Sequence, residues 1–257
     1  MVKEIRVLGL EGFPLVKAGD DLAALVVAAA KDNRVQVEDG DVVVVAQKIV
    51  SKAEGRVVKL GTVKPSKKAL KIAETTGRDP RLVELVLQES KRFLKTSREI
   101  IIVEDQRDIV NINAGIDKSN VQGADRYALL PVDPDESARR LRSRIKTLSG
   151  KSVGVVVSDT YSRAFRRGQV NFAIGIAGLS PFFDYRGTKD LFGYTIRVKF
   201  AAVADEVAGA AELLMGQGRE ALPVAIIRGL RRITLSEDAS SKDLVISQNE
   251  DLFQNVR

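Results

Sequence analysis

The chain has 257 residues, 44% apolar and 29% charged, an ordinary folded composition long enough to bury a core in one large domain or two small ones. Lys and Arg number 41 against 34 Asp and Glu, a formal charge of +7, and Cys, His and Trp are absent. These absences exclude a disulfide framework, a thiolate nucleophile, a Ser-His-Asp triad and a Cys/His zinc site. Catalysis is left to carboxylates, Lys, Arg, Tyr, hydroxyls, backbone amides or a hard oxygen-bound cation such as Mg, Mn or Ca.

In chain order, Ile5-Arg6-Val7-Leu8 alternates like a strand, and Gly12-Phe13-Pro14 makes a turn. Asp20 or Asp21 caps an alanine-rich helix through Ala30. Val42-Val43-Val44-Val45, opened by Asp39-Gly40, is apolar on both faces and reads as a buried central strand. Ser66 and Asp79-Pro80 open two further helices. Ile100 to Val103 and Ile109 to Ile112 flank a hairpin turn at Asp105-Gln106-Arg107. A loop from Asn113 to Asn120 follows, and Asp133-Pro134-Asp135 then caps a basic helix. Val153 to Val157 reads as a second buried strand ending in Asp159-Thr160. A strand is expected over Thr195 to Val203, a helix over Asp205 to Met215 and a strand over Val224 to Ile227. Ser236 to Arg257 reads as a docked arm or a frayed tail. The irregular order of strands and helices favours an α+β fold over a doubly wound sheet, with residues 1–257 forming a single catalytic unit. No signal-peptide core or membrane-spanning apolar run is present, so a cytoplasmic protein with no membrane partner is expected.

Two nucleotide motifs are decoys. Gly150-Lys151-Ser152 resembles the end of a P-loop, but it follows a helix, and the motif's first glycine would fall at Ile145. Gly216-Gln217-Gly218 also follows a helix and is not a Rossmann turn, although its bare amides suit a phosphate as well as they suit a plain helix-ending turn. In the loop after Ile112, Asp117 suits a metal and Asn120 a base or ribose, while an Asx-turn network accounts for the same residues. Asp159 and Thr160 offer a carboxylate and a hydroxyl to Mg²⁺ or Mn²⁺, and Arg163, Arg166 and Arg167 would neutralise phosphate oxygens. A loop of solvated arginines fits them equally. The arginines of the helix after Asp133 do not share one face and lack interleaved aromatics, so no nucleic acid is expected as a partner.

Taken together, these segments resemble the coenzyme F420-0:L-glutamate ligases, also called coenzyme F420:gamma-glutamyl ligases, of the CofE family. The resemblance rests on Gly12-Phe13-Pro14-Leu15, Asp39-Gly40-Asp41, Ser51-Lys52-Ala53-Glu54-Gly55-Arg56, Asn113-Ala114-Gly115-Ile116-Asp117, Leu129-Leu130-Pro131, Ser158-Asp159-Thr160 and Leu214-Met215-Gly216, in order. It implies a CofE-like mixed fold and an intertwined homodimer. It further implies a ligase that uses GTP to activate the terminal carboxylate of coenzyme F420-0 as an acyl phosphate. The amine of L-glutamate then displaces phosphate to form a gamma-linked amide. Mg²⁺ or Mn²⁺ and K⁺ are the implied cofactors.

By the same resemblance, GTP contacts fall on Phe13, Pro14, Leu15, Val16, Gln47, Lys48, Lys52, Asn120, Met215, Gly216 and Gly218. Metal ligands fall on Asp117, Asp159, Thr160 and Gln217, with Asp159, Arg163 and Arg166 as catalytic groups. Ser162 stands where the family more often has Gly, and Gln47-Lys48 replaces a small hydroxyl pair. A two-metal nucleotide phosphohydrolase and a non-enzymatic nucleotide- or RNA-binding protein are the competing readings. They predict, respectively, nucleotide consumption without glutamate and salt-dependent binding without turnover.

Overall fold

The computed structural model describes residues 3–162, 166–231, 233–247 and 249–251. Its elements run β1 (Arg6–Gly9), α1 (Leu22–Asp32), β2 (Val42–Ala46), α2 (Gln47–Ala53), β3 (Val57–Lys59), α3 (Lys67–Thr76), α4 (Pro80–Gln88), β4 (Ser90–Ser97), β5 (Ile100–Asp105), β6 (Val110–Ile112) and β7 (Arg126–Ala128). They continue with α5 (Pro134–Ser149), β8 (Gly154–Ser162), β9 (Gln169–Ala177), β10 (Phe183–Asp184), β11 (Phe200–Ala201), α6 (Val203–Met215) and β12 (Val224–Arg228). The fold is mixed, with helices and several separate sheets. Among the described residues no helix is long and apolar enough to cross a membrane. The chain divides into two compact units. One holds Met1–Leu15, Asp21–Ile49 and Asp133–Arg257; the other holds Val16–Asp20 and Val50–Val132. No linker composition marks this split, because the second unit is an insertion in the chain of the first.

In the first unit a five-stranded sheet has the order β1-β12-β2-β8-β9. Its centre is the parallel pair β2 and β8, where Val42 to Val45 and Val155 to Val157 are fully buried. Two-sided burial explains why both strands read as unbroken valine runs rather than alternating ones. The face carrying Val42, Val44, Val156, Ala225 and Ile227 packs on Val203, Ala204, Val207, Ala208, Ala211 and Met215 of α6. The small residues of that helix bring its axis close to the sheet. The local signals act as the sequence implies. The side chain of Asp21, rather than Asp20, caps α1; Asp133 caps α5 with Pro134 in its first turn; and Gly150 ends α5 at φ 73°. That left-handed ending confirms the helix-terminating role of Gly150.

Strand β9 is an edge, and its outward N–H groups would otherwise lack partners. Three carboxylates from two helices meet them: Glu212 accepts from the Asn171 N–H at 2.8 Å, Asp205 from Ala173 at 3.0 Å and Asp135 from Ile176 at 2.8 Å. Asp135 also accepts from the Ser240 hydroxyl at 2.6 Å and the Ser241 N–H at 3.1 Å. A 3₁₀ turn, Ser241–Leu244, is therefore docked against the edge, and the described part of the C-terminal stretch is an arm rather than a tail. Burial pushes the Asp205 carboxyl above its ordinary pKa, only partly offset by the Ala173 N–H. Between its unfolded and raised native values the folded state keeps a proton that the unfolded state loses, so stability falls as pH rises through that window. Asp205→Asn is therefore expected to gain stability relative to the parent as pH rises from 3.5 to 7, read by urea denaturation at each pH. A constant difference across that range would contradict it.

Two expectations are corrected here. The hydrogen-bonded strand does not end at Asp159-Thr160 but continues to Ser162, because β9 pairs with it residue by residue as far as Ser162 opposite Gln169. The stretch Thr195 to Val203 is not one strand. Phe200–Ala201 pairs with Phe183–Asp184, Thr195 makes only an isolated bridge to Lys189, and Val203 already begins α6. The alternation there lacks a long partner strand among the described residues, and Val198 is left 85% exposed.

The second unit has a β4-β5-β6 sheet and a β3-β7 ribbon. Helices α3 and α4, capped by Ser66 and Asp79, contribute Ala69, Ala73, Val83 and Val86 to a core shared with Ile101 and Val103. The hairpin at Asp105 is held by its own buried carboxylate, which accepts from the Arg107 and Ile109 N–H groups and from the Asn111 amide.

Candidate functional site

In the first unit, β8, β9 and the C-terminal end of α6 bring four polar side chains together. Thr160 sits opposite Asn171 in the β8–β9 register. The Thr160 Oγ1 lies 2.9 Å from Asn171 Oδ1 and 3.1 Å from Gln217 Oε1. Gln217 Nε2 donates to Glu212 Oε1 at 2.7 Å and approaches Asn171 Oδ1 at 3.3 Å. Asn171 is only 6% exposed, whereas Gln217 is exposed. Gln217 reaches the strands because α6 stops at Gly216, whose φ of 63° turns the chain back toward the sheet.

Proton accounting bears on what this cluster can hold. A hydroxyl has one proton, so Thr160 can donate to only one of the two oxygens beside it. Three oxygens thus meet with fewer protons than contacts, which suits a hard cation. Among the described residues no three Asp or Glu side chains converge on one point, so neutral hydroxyl and amide oxygens supply this cluster. The donor set fits Mg²⁺, Mn²⁺ or K⁺ and does not fit a soft metal.

Asp159 lies elsewhere. Successive side chains on a strand point to opposite faces. Thr160 reaches Gln217, while Asp159 is in register with Phe172, whose ring packs 6.0 Å from that of Tyr161. The adjacent carboxylate and hydroxyl therefore do not form one two-residue clamp. Of the other catalytic candidates, Arg166 is exposed in the bend between β8 and β9, and Arg163 lies outside the described residues.

The nucleotide candidates of this unit are scattered in character. Phe13 is half-buried, Pro14 and Leu15 are exposed, and Met215 is buried. Gln47 is 2% exposed and Lys48 half-buried in the first turn of α2. Gly218 donates its N–H to Glu220 Oε2 at 2.7 Å, so a carboxylate engages the glycine loop at an amide of the kind that binds phosphate.

In the second unit, Val16 is buried, and Lys52 and Asn120 are brought together: Lys52 Nζ donates to the Asn120 carbonyl at 2.7 Å. Asp117 is bridged to Ala128, and its carboxylate accepts from the Ser119 N–H at 2.7 Å and hydroxyl at 3.0 Å. The Asx-turn geometry is thus present. The loop is held under backbone strain. Asn113, Ala114 and Gly115 take φ values of 53°, 54° and 68° in succession, and Asn120 takes 55°. Such conformations cost roughly 1 kcal/mol per non-glycine residue and persist where the surroundings impose them.

The model of the family described as F420-0:Gamma-glutamyl ligase matches residues 12–229. The chain belongs to this family. Its members are ligases, so the protein is an enzyme of that class. Coenzyme F420:L-glutamate ligase of Methanothermobacter thermautotrophicus is 44% identical over 251 residues, covering 97% of this chain and 99% of that one. The ligase of the same name from Archaeoglobus fulgidus is 43% identical over 250 residues, covering 97% and 96%. That of Methanocaldococcus jannaschii is 38% identical over 258 residues, covering 99% and 100%.

Asn171 and Glu212 are the cluster members that sequence motifs missed. Asn171 hides within a mostly apolar strand. Glu212 had a readable signal: it lies seven residues after Asp205, so the two carboxylates share one flank of the buried stripe of α6.

Proposed function

We propose that this F420-0:gamma-glutamyl ligase family member joins L-glutamate to coenzyme F420-0 through gamma-linked amides, with GTP converted to GDP and phosphate. The supporting observation is the family match over residues 12–229, which spans every candidate site residue, together with near-full-length similarity to enzymes bearing that name. In the activation step a carboxylate oxygen of coenzyme F420-0 attacks the γ-phosphorus of GTP. The bond to GDP breaks and an acyl phosphate forms. The glutamate amine then attacks the acyl carbon, phosphate leaves with the bonding electrons, and the amine proton passes to solvent. None of these steps needs His or Cys.

A hard divalent cation, when bound, neutralises phosphoryl oxygens. Thr160 and Gln217 would hold one through neutral oxygens; Asp159, on the other face of β8, and Asp117, in the second unit, are each proposed separately as a carboxylate ligand. Arg163 and Arg166 are proposed to orient phosphoryl oxygens through bidentate hydrogen bonds. K⁺ is proposed as an accessory cation on the same oxygen chemistry.

The deciding test is incubation with coenzyme F420-0, GTP, Mn²⁺ and glutamate, followed by mass spectrometry. Products heavier by whole glutamyl residues are expected, and they should disappear in excess EDTA. GTP hydrolysis that proceeds equally without glutamate would favour a phosphohydrolase and overturn the reading. Lys52→Ala is expected to weaken GTP binding about tenfold, since it removes a charge-assisted donor and frees the Asn120 carbonyl. Unchanged GTP affinity by calorimetry would remove Lys52 from the nucleotide contacts. The homodimer is also proposed, supported by Leu191, Phe192 and Val198, which stand 97%, 95% and 85% exposed. Sedimentation at the monomer mass would contradict it.

A further inference from the structure

We propose that Glu212 is a positioning residue: through the Gln217 amide it turns the oxygens of Gln217 and Asn171 toward Thr160, and so sets the cation affinity of this cluster. The inference rests on the reading of Thr160 and Gln217 as cation ligands. It adds a residue that touches no ligand itself.

A side-chain amide can sit in either of two orientations that differ only in which end is oxygen, and its hydrogen-bond partners decide between them. Glu212 is acceptor-only when ionised. Its Oε1 lies 2.7 Å from one end of the Gln217 amide, and only the NH₂ end can face it without repulsion. The Gln217 oxygen must then point to Thr160, at 3.1 Å. The same choice propagates. Gln217 Nε2 lies 3.3 Å from the Asn171 amide, which must answer with its oxygen, and that oxygen lies 2.9 Å from Thr160. One carboxylate thus orients two amides and supplies the oxygen-rich, proton-poor meeting point. The second oxygen of Glu212 is held by the Asn171 backbone N–H at 2.8 Å, which fixes the carboxylate against β9.

The rival role is that Glu212 merely covers the β9 edge. Glu212→Gln separates the two. Its carbonyl still accepts from the Asn171 N–H, so edge cover survives, but its NH₂ now faces Gln217 and forces that amide to turn over. The probe is Mn²⁺ alone, titrated against free Mn²⁺ by electron paramagnetic resonance without nucleotide. Glu212→Gln is expected to bind Mn²⁺ at least tenfold more weakly, with the melting temperature of the metal-free protein within about 2 °C of the parent's.

A simple loss of negative field would be screened by salt. The Glu212→Gln deficit should therefore persist in 1 M tetramethylammonium chloride. Parent-like Mn²⁺ affinity in Glu212→Gln or disappearance of the deficit at high salt would each overturn the positioning role. A parent protein that binds no Mn²⁺ would overturn the cation reading and this inference with it. Failure of glutamate ligation alongside the expected Mn²⁺ pattern would overturn the proposed reaction alone.

Discussion

Asp159→Asn is expected to reduce glutamate ligation by about 100-fold or more while leaving the metal-free fold nearly unchanged. The residue is half-buried on β8 and paired in register with Phe172, well inside a strand and not at its end. A carboxylate whose task were to form a local turn would not sit there. Asn has the same shape and keeps one carbonyl acceptor, but it lacks the negative charge that a metal ligand supplies. The effect should therefore separate by readout. Thermal melting without metal should shift by no more than a few degrees, whereas the stabilisation conferred by Mn²⁺ with GTP should shrink sharply, since ligand-linked stability follows affinity. Ligation near the parent rate with that stabilisation intact would return Asp159 to a structural role. Because Asp159 and Thr160 face opposite sides of the strand, Thr160→Ala is a separate experiment rather than a repeat of the same one.

What was legible in the sequence was local. Asp21, Ser66, Asp79 and Asp133 cap helices because a cap needs only a side-chain oxygen within three residues of the amides it serves. Val42 to Val45 declared a buried strand because two-sided burial removes alternation. Features made by distant residues were not legible. The cover of the β9 edge joins Ile176 to Asp135 and Ala173 to Asp205, pairs that no spacing rule connects. The alternation from Thr195 to Val203 had the period of a strand, but period does not reveal whether a partner exists, and pairing there is confined to Phe200–Ala201 and a single bridge at Thr195. The same limit applied at the site. Asp117, Thr160 and Gln217 stood out because polar residues at glycine-rich or strand-end positions attract notice. Asn171 and Glu212 act on Thr160 and Gln217 from inside regular elements, where polar side chains pass for surface.

Gly175→Ala is expected to destabilise the protein by about 3 kcal/mol or more, a drop in melting temperature of about 10 °C. Gly175 lies on β9 opposite Val157, without a left-handed φ, so conformational freedom is not the reason for glycine. The reason is close approach. A Cβ there would stand 2.3 Å from the Pro134 carbonyl oxygen and 2.4 Å from its carbon. These are backbone atoms in the first turn of α5, and no rotamer change moves them. The helix must withdraw from the strand. Withdrawal carries away the neighbouring Asp135, which accepts from the Ile176 N–H and ties down Ser240 and Ser241. A buried charge-assisted bond is worth about 1.5–3 kcal/mol, which adds to the overpacking cost. Gly150→Ala is the matched control. Gly150 has φ 73° with nothing within 4 Å of a new Cβ, so only the left-handed conformation is penalised, at about 1 kcal/mol. Urea denaturation of both variants should rank Gly175→Ala well below Gly150→Ala. The reverse order would mean that α5 is not seated on β9 as closely as Pro134 and Gly175 require.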